Sequence, residues 1–512
     1  MIGRIFTVGG FTLVSRITGF LRDIVLAAVL GAGPGADAFF VALRLPNHFR
    51  AIFAEGAFNA AFVPAFARIN SSKGRDAASS FADRVMALLL ASQILLLAVA
   101  LAFTPGVISL LAPGFSEDPG RFALAVALTR ITFPYLLLIT LVTLYGGILN
   151  AVGRFAAAAA APILLNAAMI ATLAGAALFA SAAHAAAWGV LIAGVLEALL
   201  VGGAAWRAGM LPRPVRPRWD DDLRRFFKAL VPATVGSAGL QIALFADTII
   251  ASFLAPGSLS ALYYADRLNQ LPIGVIGIAV GTVLLPEMAN RIAAGDEAGA
   301  RRAQNGAIEL TLLLSLPCLV AFLVVPDLIM RALFMRGAFT AADAAAAGAT
   351  LTAYALGLLP FVLVRSVTAT FLARGDTATP VKAAVAAVAV NVAFKIALMG
   401  PLAQVGLALA TSIGAWINLV LVVYFARRQR LIAFDPALRR SLARLGVAAL
   451  ALTAVLWLAR QPVAALVSEL RALRDETALA ALAALGIAVY GGTVLALFGR
   501  SRLAIFRGAA KS

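Results

Sequence analysis

The stretch "SRITGFLRDIVL" at residues 15–26 places two arginines and an aspartate inside a run that is otherwise apolar enough to cross a membrane. On a helical wheel, its polar and small residues fall within an arc of about 160°, opposite Ile17, Phe20 and Leu21. A central arginine costs roughly 2.5–3.5 kcal/mol on insertion scales, so such side chains normally face a bundle interior or a water-filled cavity. The stretch predicts a membrane helix whose polar face carries Ser15, Arg16, Thr18, Gly19, Arg22 and Asp23.

The composition of the whole chain is typical of a membrane protein. Of its 512 residues, 62% are hydrophobic and 13% are charged, and the mean hydropathy is +0.96. Apolar runs of helical length recur, without the roughly ten-residue alternating segments of a transmembrane barrel. The predicted fold is an all-α polytopic membrane protein with about fourteen transmembrane helices. The predicted spans are 5–30, 36–66, 82–104, 124–149, 157–180, 184–206, 229–254, 260–290, 306–326, 344–372, 379–400, 405–426, 443–459 and 478–498.

The net charge of +18 comes from basic residues that gather in alternate loops. The loops after spans one, five, seven and eleven lack Lys and Arg, whereas those after spans two, six, eight and twelve are basic. The positive-inside rule therefore predicts cytoplasmic termini, and the arginines are interpreted as topology determinants and anionic-lipid contacts rather than a nucleic-acid surface. We also expect no cleavable signal, because the first residues run directly into span one.

The segment "MLPRPVRPRWDDDLRRFFK" (210–228) separates two halves that resemble each other at an offset of about 223 residues. Arg44 in "GADAFFVALRLPN" matches Arg267 in "SLSALYYADRLNQ", and Pro134 and Gly153 match Pro360 and Gly375. Chance similarity among Ala/Leu-rich helices is the competing explanation. Duplication predicts two six-helix lobes related by an axis along the membrane normal, as in alternating-access transporters. The predicted domains are 1–206 (spans one to six), 207–228 (basic cytoplasmic linker), 229–427 (spans seven to twelve) and 428–512 (a loop and spans thirteen and fourteen).

Residue types that support catalysis or metal binding are scarce. Cys318 is the single cysteine, and His48 and His184 are isolated histidines. "GAGPG" (31–35) matches nucleotide-binding loops only loosely and is interpreted as a turn between helices. The histidines and the cysteine therefore predict no catalytic or metal constellation, and the chain is expected not to be an enzyme.

Charged residues inside the predicted spans point to an anionic substrate. Arginines outnumber the nearby carboxylates, and guanidinium forks suit bidentate contact with phosphate oxygens. The alternative is that they form Arg–Asp pairs that hold helices together, or extend to the membrane surface. Asp247 in span seven either pairs with an arginine or binds a coupling cation or proton. The charged residues concerned in spans two, eight and ten are Asp37, Arg44, Arg50 and Glu55, Asp266 and Arg267, and Arg365.

Residues 15–66, "SRITGFLRDIVLAAVLGAGPGADAFFVALRLPNHFRAIFAEGAFNAAFVPAF", closely resemble the N-terminal signature of the MurJ (MviN) lipid II flippase family. Further matches are "APGF" (112–115), "ITFPYLLLITLVTLYGGILNAVGRF" (131–155), "ASFLAPGSLSALYYADRLNQLPIGVIGIAVGTVLLP" (251–286) and "TPVK" (379–382). The resemblance implies an inner-membrane protein of the multidrug/oligosaccharidyl-lipid/polysaccharide exporter superfamily, with two six-helix lobes around a cationic cavity and a groove for the lipid tail along spans thirteen and fourteen. Its implied activity is moving undecaprenyl-pyrophosphate-linked peptidoglycan precursor from the cytoplasmic to the periplasmic leaflet.

The resemblance also implies roles for individual residues. Those that match the family's substrate-binding positions are Arg16, Arg22, Asp23, Asp37, Arg50 and Arg267, and Glu55 matches a gate or portal position. Asp247 resembles the carboxylate of a sodium site found in some members, whereas Gln270 stands where some members have a carboxylate. The implied energy source is Na⁺ or H⁺ coupling or the membrane potential, and the implied partners are membrane lipids and cell-wall synthesis proteins, with the chain a monomer.

Three rival functions remain open at this point. A flippase for another polyprenyl-pyrophosphate-linked saccharide would share the cationic cavity, although the N-terminal signature disfavours it. A multidrug/cation antiporter of the same superfamily needs a carboxylate-rich cavity, which the arginines of spans one, two and eight disfavour. A structural scaffold of the wall-assembly machinery would have no need of these arginines.

Overall fold

The computed structural model describes residues 2–50, 57–216, 219–470 and 473–508, and these residues form helices joined by turns, with no strand among them. The predicted all-α class is therefore confirmed. The chain divides into two compact units. The N-terminal unit contains Met1–Ser260 with Arg336–Phe339, and the C-terminal unit contains Ala261–Met335 with Thr340–Ser512.

The N-terminal unit contains ten helices in the described residues, and the first turn of an eleventh. A 3₁₀ turn, Pro113–Glu117, lies between the fifth and sixth helices, and another, Ala176–Leu178, precedes the ninth. The helices are α1 (Ile2–Leu30), α2 (Pro34–Phe49), α3 (Ala57–Lys73), α4 (Arg75–Ala102), α5 (Thr104–Leu111), α6 (Pro119–Thr132), α7 (Tyr135–Ala151), α8 (Ala156–Ala174), α9 (Ala182–Arg207) and α10 (Asp221–Ser252).

The C-terminal unit continues α11 through a π-helical segment, Ile273–Gly277, into α12. This segment interrupts predicted span eight, which is long enough in the sequence to be bent or to lie partly outside the membrane. The helices are α11 (Ser258–Pro272), α12 (Ile278–Ala293), α13 (Glu297–Val324), α14 (Pro326–Phe334), α15 (Ala341–Ala355), α16 (Leu358–Leu372), α17 (Ala378–Arg428), α18 (Pro436–Leu466) and α19 (Arg474–Gly508).

The predicted spans fall mainly on helices in the described part of the chain. Nine helical stretches there are long and apolar enough to cross a membrane, so the predicted count of fourteen is not confirmed. The ranges 379–400 and 405–426 meet inside α17, where Ala403 breaks the helix with a φ of 47° and a ψ of −130°.

Two predicted spans contain a break that the sequence treats as continuous helix. Range 124–149 is divided between α6 and α7 at Phe133 and Pro134, and range 344–372 between α15 and α16 at Leu356 and Gly357. Proline lacks the N–H needed inside a helix and is favoured in its first turn. Accordingly, α7 starts directly after Pro134, and Pro360 lies in the first turn of α16.

Positions predicted to be equivalent share an unusual backbone conformation. Gly153 and Gly375 each follow the second helix of such a broken pair, and their φ angles are 78° and 79°. A side chain at a positive φ is strained, which explains why glycine stands at both positions. These local features support a duplication, while the predicted domain boundaries at 206, 228 and 427 stay predictions.

The basic linker is attached to the N-terminal unit by ion pairs. Lys73 Nζ lies 2.6 Å from the Asp222 carboxylate, and Arg84 Nη2 lies 2.9 Å from that of Asp220. The hydrogen bond from Lys73 lowers the pKa of Asp222 from its usual value. The start of α10 is therefore held against the end of α3 and the N-terminal part of α4.

An aromatic cluster strengthens this attachment. Phe226 of α10 packs edge-on against Phe58, Phe62 and Phe81, with ring centroids 5.9, 6.2 and 5.9 Å away. All four rings are buried, and edge-to-face pairs contribute about 0.5–1.5 kcal/mol beyond the area that they bury. The start of α10 is thus part of the core of the N-terminal unit.

Candidate functional site

The polar face of α1 contains a buried ion pair. Arg22 donates from Nε and Nη2 to the same oxygen of Asp23, at 3.1 and 2.7 Å, and both residues are buried. On the opposite side, Ile17 and Leu21 are 61% and 49% exposed, as the helical wheel predicts for a face that meets lipid. The sequence left open Arg–Asp pairs that hold helices together, whereas this pair joins adjacent residues of one helix.

Arg16 differs from Arg22 although it lies on the same face. Its side chain is exposed, and it forms no hydrogen bond or ion pair with the residues that the structure describes. An arginine fork in this state retains its full capacity for an anionic ligand. Arg16 is therefore the predicted site residue of α1 whose guanidinium is open to such a ligand.

The small residues of the same face serve helix packing. Asn166 of α8 donates from Nδ2 to the Ser15 carbonyl at 3.0 Å and to the Thr18 hydroxyl at 3.1 Å. A Cβ at Gly19 would lie 3.4 Å from that amide nitrogen. Small and polar residues allow this close approach in membranes, so part of the polar face binds α8 rather than a ligand.

Arg50 directly follows α2 and lines a cavity of about 330 Å³. The sequence placed it within span two, and the structure adds that it lies beside α3, α7 and α8. Polar groups from these helices share the cavity, including Asn59, Thr143 and Asn150. The cavity therefore combines a guanidinium with neutral hydrogen-bonding groups, a combination that suits the polar part of an anionic ligand.

Glu197 is a buried carboxylate near Arg50 that the sequence analysis missed. It lies on α9 with 2% of its surface exposed and accepts a hydrogen bond from the Tyr135 hydroxyl at 3.3 Å. The charge of Arg50 acts on this carboxylate. The available signal was the same one that singled out Asp247, a lone acid within an apolar run.

Asp37 holds the first turn of α11. It is 1% exposed, and its carboxylate accepts from Gly257 N at 2.7 Å, Ser260 N at 2.9 Å and Ser260 Oγ at 2.6 Å. These backbone N–H groups lack partners inside their own helix because they lie at its beginning. Asp37 therefore acts as a helix cap supplied from a distant part of the chain, and its role in substrate binding stays a prediction.

Arg121, which the sequence analysis did not single out, completes this buried network. Its guanidinium donates to the Ser252 carbonyl at 2.8 Å and lies 3.8 Å from the Asp37 carboxylate and 3.8 Å from the Phe115 ring centroid. The "APGF" motif contributes through Gly114, where a Cβ would lie 2.4 Å from the Ser252 carbonyl. Glycine is required there by close packing against the end of α10.

In the C-terminal unit, Arg267 interacts with an aromatic neighbour on its own helix. It donates to the Tyr263 hydroxyl at 3.0 Å, and its guanidinium carbon lies 4.9 Å from that ring centroid. Arg365 of α16 is exposed, forms no ion pair with the described residues, and lies against Gly277 of the π-helical segment. Both arginines thus belong to the same unit as the interrupted helix, and π-helical segments frequently mark functional sites.

Glu55 and Asp247 are the remaining predicted site residues. Glu55 lies outside the described residues. Asp247 lies half-buried on α10, and no group of three or more His, Cys, Asp and Glu side chains in the described residues is arranged to hold a metal ion. The predicted cation site therefore remains a prediction.

Comparisons with known proteins give consistent results over the whole chain. A family model described as lipid II flippase MurJ matches residues 26–470. The chain is 39% identical to a probable lipid II flippase MurJ of Rhizobium meliloti (strain 1021), covering 100% of this chain and 97% of that protein. It is 34% identical to the lipid II flippase MurJ of Burkholderia cenocepacia, covering 88% of this chain and 89% of that protein.

Solved structures agree on the fold. A structure described as lipid II flippase MurJ in an inward closed conformation matches with a TM-score of 0.81 at 24% identity, covering 97% of this chain and 99% of the other. An inward-facing multidrug resistance transporter of the MATE family matches with a TM-score of 0.67 at 15% identity, covering 83% and 96%. At these identities the likeness describes the architecture and carries no statement about a ligand.

Proposed function

The chain belongs to the lipid II flippase MurJ family, and from this membership we propose that it moves lipid II from the cytoplasmic to the periplasmic leaflet by alternating access. It is a multi-pass inner-membrane protein of a transporter family rather than of an enzyme family. The observation that carries the proposal is the family match over residues 26–470, which includes Arg50 and Arg267 but begins after Arg16 and Arg22. Its physiological role is the supply of precursor for peptidoglycan.

The chemistry of the substrate explains why the spans contain arginines. Lipid II carries a pyrophosphate and a large polar head group, and transferring that head group through about 30 Å of hydrocarbon is prohibitively costly. Guanidinium groups remain charged and bind phosphate oxygens in a bidentate manner. We assign diphosphate binding to Arg16, Arg22, Arg50 and Arg267, the arginines that match the substrate-binding positions of the family.

Three of these arginines differ in how far their charge is already satisfied within the protein, and this difference supports reversible binding. Arg16 is open, Arg22 is already neutralised by Asp23, and Arg267 is held by Tyr263. A diphosphate must compete with Asp23 for Arg22, which weakens net binding. Release on the periplasmic side requires that the affinity for the diphosphate be limited. A ligand can shift the equilibrium between the two conformations only by the difference in its affinity for them.

Asp37 is proposed to act at the periplasmic end, where it holds the first turn of α11. Any movement of this turn away from α2 breaks the hydrogen bonds from Gly257 and Ser260. Glu55 is proposed as a gate or portal residue on the strength of the family resemblance. Their combined role is to limit access to the arginines to one side at a time.

The remaining features of transport are proposed from sequence. The basic loops place both termini in the cytoplasm. Membrane potential, or a cation bound at Asp247, would shift the conformational equilibrium toward the outward-facing state. The chain is proposed to act as a monomer that contacts membrane lipids and cell-wall synthesis proteins.

The proposal is tested by depleting the native lipid II flippase of a bacterium and supplying this chain. We expect the wild-type chain to restore growth and the variants Arg16→Ala, Arg22→Ala and Arg267→Ala to fail at normal membrane abundance. The control variant Ile17→Ala, on the lipid-facing side of α1, should restore growth. Rescue by all three arginine variants would overturn the diphosphate assignment, and failure of the wild-type chain would favour a flippase of another polyprenyl-linked saccharide.

A further inference from the structure

A second cationic cavity lies in the N-terminal unit, beside the Arg50 cavity, with which it shares the wall residue Phe155. Its volume is about 410 Å³, and it is formed where α7 ends, α8 begins and α9 ends. Arg154 and Arg207 contribute its charge, and its wall is apolar, with Leu149, Phe155 and Ala204 among the lining residues. The cavity is within the size range of about 300–1,000 Å³ that is typical of small-molecule sites.

The backbone fixes both arginines at this cavity. After α7, Gly153 has a φ of 78° and the N–H of Arg154 donates to the Leu149 carbonyl at 2.8 Å. After α9, Gly209 has a φ of 63° and the N–H of Met210 donates to the Ala205 carbonyl at 2.9 Å. Both helices therefore end in the glycine cap that satisfies the last carbonyls, and the arginines are held on ordered helix ends.

The two arginines differ from other basic residues near the same helix ends. Lys73 and Arg84 form ion pairs with the linker, and Arg75 donates to the carbonyls of Ala208 and Gly209. Arg154 and Arg207 are exposed, and neither side chain forms a hydrogen bond or an ion pair with the described residues. The cavity is thus lined by positive charge that the protein itself leaves uncompensated.

We propose that this cavity binds the phosphate of an anionic phospholipid head group. Two guanidinium groups provide bidentate contacts for a phosphodiester, and the apolar wall accepts the adjoining glycerol and first acyl carbons. Trp206 beside the cavity is 70% exposed, and tryptophan is enriched where a protein meets the membrane interface. Basic pockets between membrane helices are recognised sites for anionic lipid head groups.

This inference does not rest on the proposed transport activity and is tested by binding alone. The purified protein in a neutral detergent is titrated with short-chain phosphatidylglycerol, with short-chain phosphatidylcholine and with inorganic phosphate, and bound ligand is counted by native mass spectrometry. The variants are Arg154→Gln, Arg207→Gln and Ala204→Leu, the last of which fills the cavity without changing the charge. Arg216→Gln removes the same charge from the exposed linker and is the matched control.

We expect each arginine variant to weaken phosphatidylglycerol binding by about fivefold, Ala204→Leu to weaken it as well, and Arg216→Gln to leave it unchanged. Inorganic phosphate and phosphatidylcholine should not displace the bound lipid. Equal binding by all variants would overturn the proposal, as would displacement by inorganic phosphate at similar concentration. A lower thermal unfolding midpoint with unchanged lipid binding would instead assign the arginines to the negative ends of the helix dipoles.

Discussion

The carboxylate of Asp37 accepts two hydrogen bonds from Ser260, one from the hydroxyl at 2.6 Å and one from the backbone N–H at 2.9 Å. The two residues are 223 positions apart in the sequence, yet both are buried. Their contact lies where the chain passes from the N-terminal unit into the C-terminal unit. It therefore fixes the position at which α11 begins.

Replacing Asp37 by alanine should lower the free energy of unfolding by about 3–5 kcal/mol, because it strands several buried donors and removes the carboxylate next to Arg121. Ser260→Ala removes one hydroxyl donor and should cost only about 1 kcal/mol. Thermal unfolding of the purified variants in detergent compares the two. If Asp37→Ala is no less stable than Ser260→Ala but binds lipid II more weakly, Asp37 is a substrate ligand instead of a structural cap.

Arg22→Ala should be more destabilising than the double variant Arg22→Ala/Asp23→Ala. The single change leaves the buried carboxylate of Asp23 without its guanidinium, whereas the double change removes both charges. Breaking one partner of a buried pair typically costs about 3–5 kcal/mol, so the difference is measurable. The pairing would be contradicted if the changes in unfolding midpoint caused by the two single substitutions simply added up to the change in the double variant.

Gly194→Ala should destabilise the N-terminal unit by about 1–3 kcal/mol, since the added Cβ would lie 2.7 Å from Tyr135 Cδ2 and 3.0 Å from Leu138 Cδ1. Gly203→Ala on the same helix meets nothing within 4 Å and should be neutral or stabilising by about 0.5–1 kcal/mol. Unfolding midpoints of the two variants provide the comparison. If Gly194→Ala left the unfolding midpoint unchanged, α7 would not approach α9 this closely. Tyr135 could then move away from Glu197.

The ion pair of Lys73 with Asp222 should make a small, pH-dependent contribution to stability. Because the folded-state pKa of Asp222 is lowered, its contribution is present above the unfolded-state pKa of about 3.9 and is lost as the pH falls through the folded-state value. The pair is partly exposed, so Asp222→Asn should cost under about 1 kcal/mol at neutral pH.

The matched control for this pH dependence is Asp221→Asn, which changes the same charge in the same first turn of α10. We expect the stability difference between wild type and Asp222→Asn to be constant above about pH 5 and to close at lower pH. The stability difference between wild type and Asp221→Asn should lack the contribution that comes from the ion pair with Lys73. Identical pH profiles for the two variants would show that only the helix dipole is involved.

The sequence predicted the helical class, the two-faced character of α1 and most of the span positions, because hydrophobic periodicity depends only on neighbouring residues. It did not predict the helix breaks at Pro134 and Gly357 or the π-helical segment after Pro272. These depend on how a helix packs against its neighbours, and an apolar run looks the same with and without a break.

For the candidate site, the sequence identified the arginines but not their partners. It could not distinguish Arg16, which is open, from Arg22, which is paired, since both lie on the same face of one helix. Arg121 and Glu197 were missed because their roles come from residues at the end of α10 and the start of α7, more than sixty positions away in the sequence. Such contacts are set by tertiary structure.

The affinity of the purified protein for lipid II shows whether the guanidinium groups hold the diphosphate. We expect Arg16→Ala to weaken binding by about tenfold or more, because one charge-assisted contact is lost, and Arg16→Lys to recover part of the affinity. Unchanged affinity in Arg16→Ala and Arg267→Ala, with both variants correctly folded, would contradict the account.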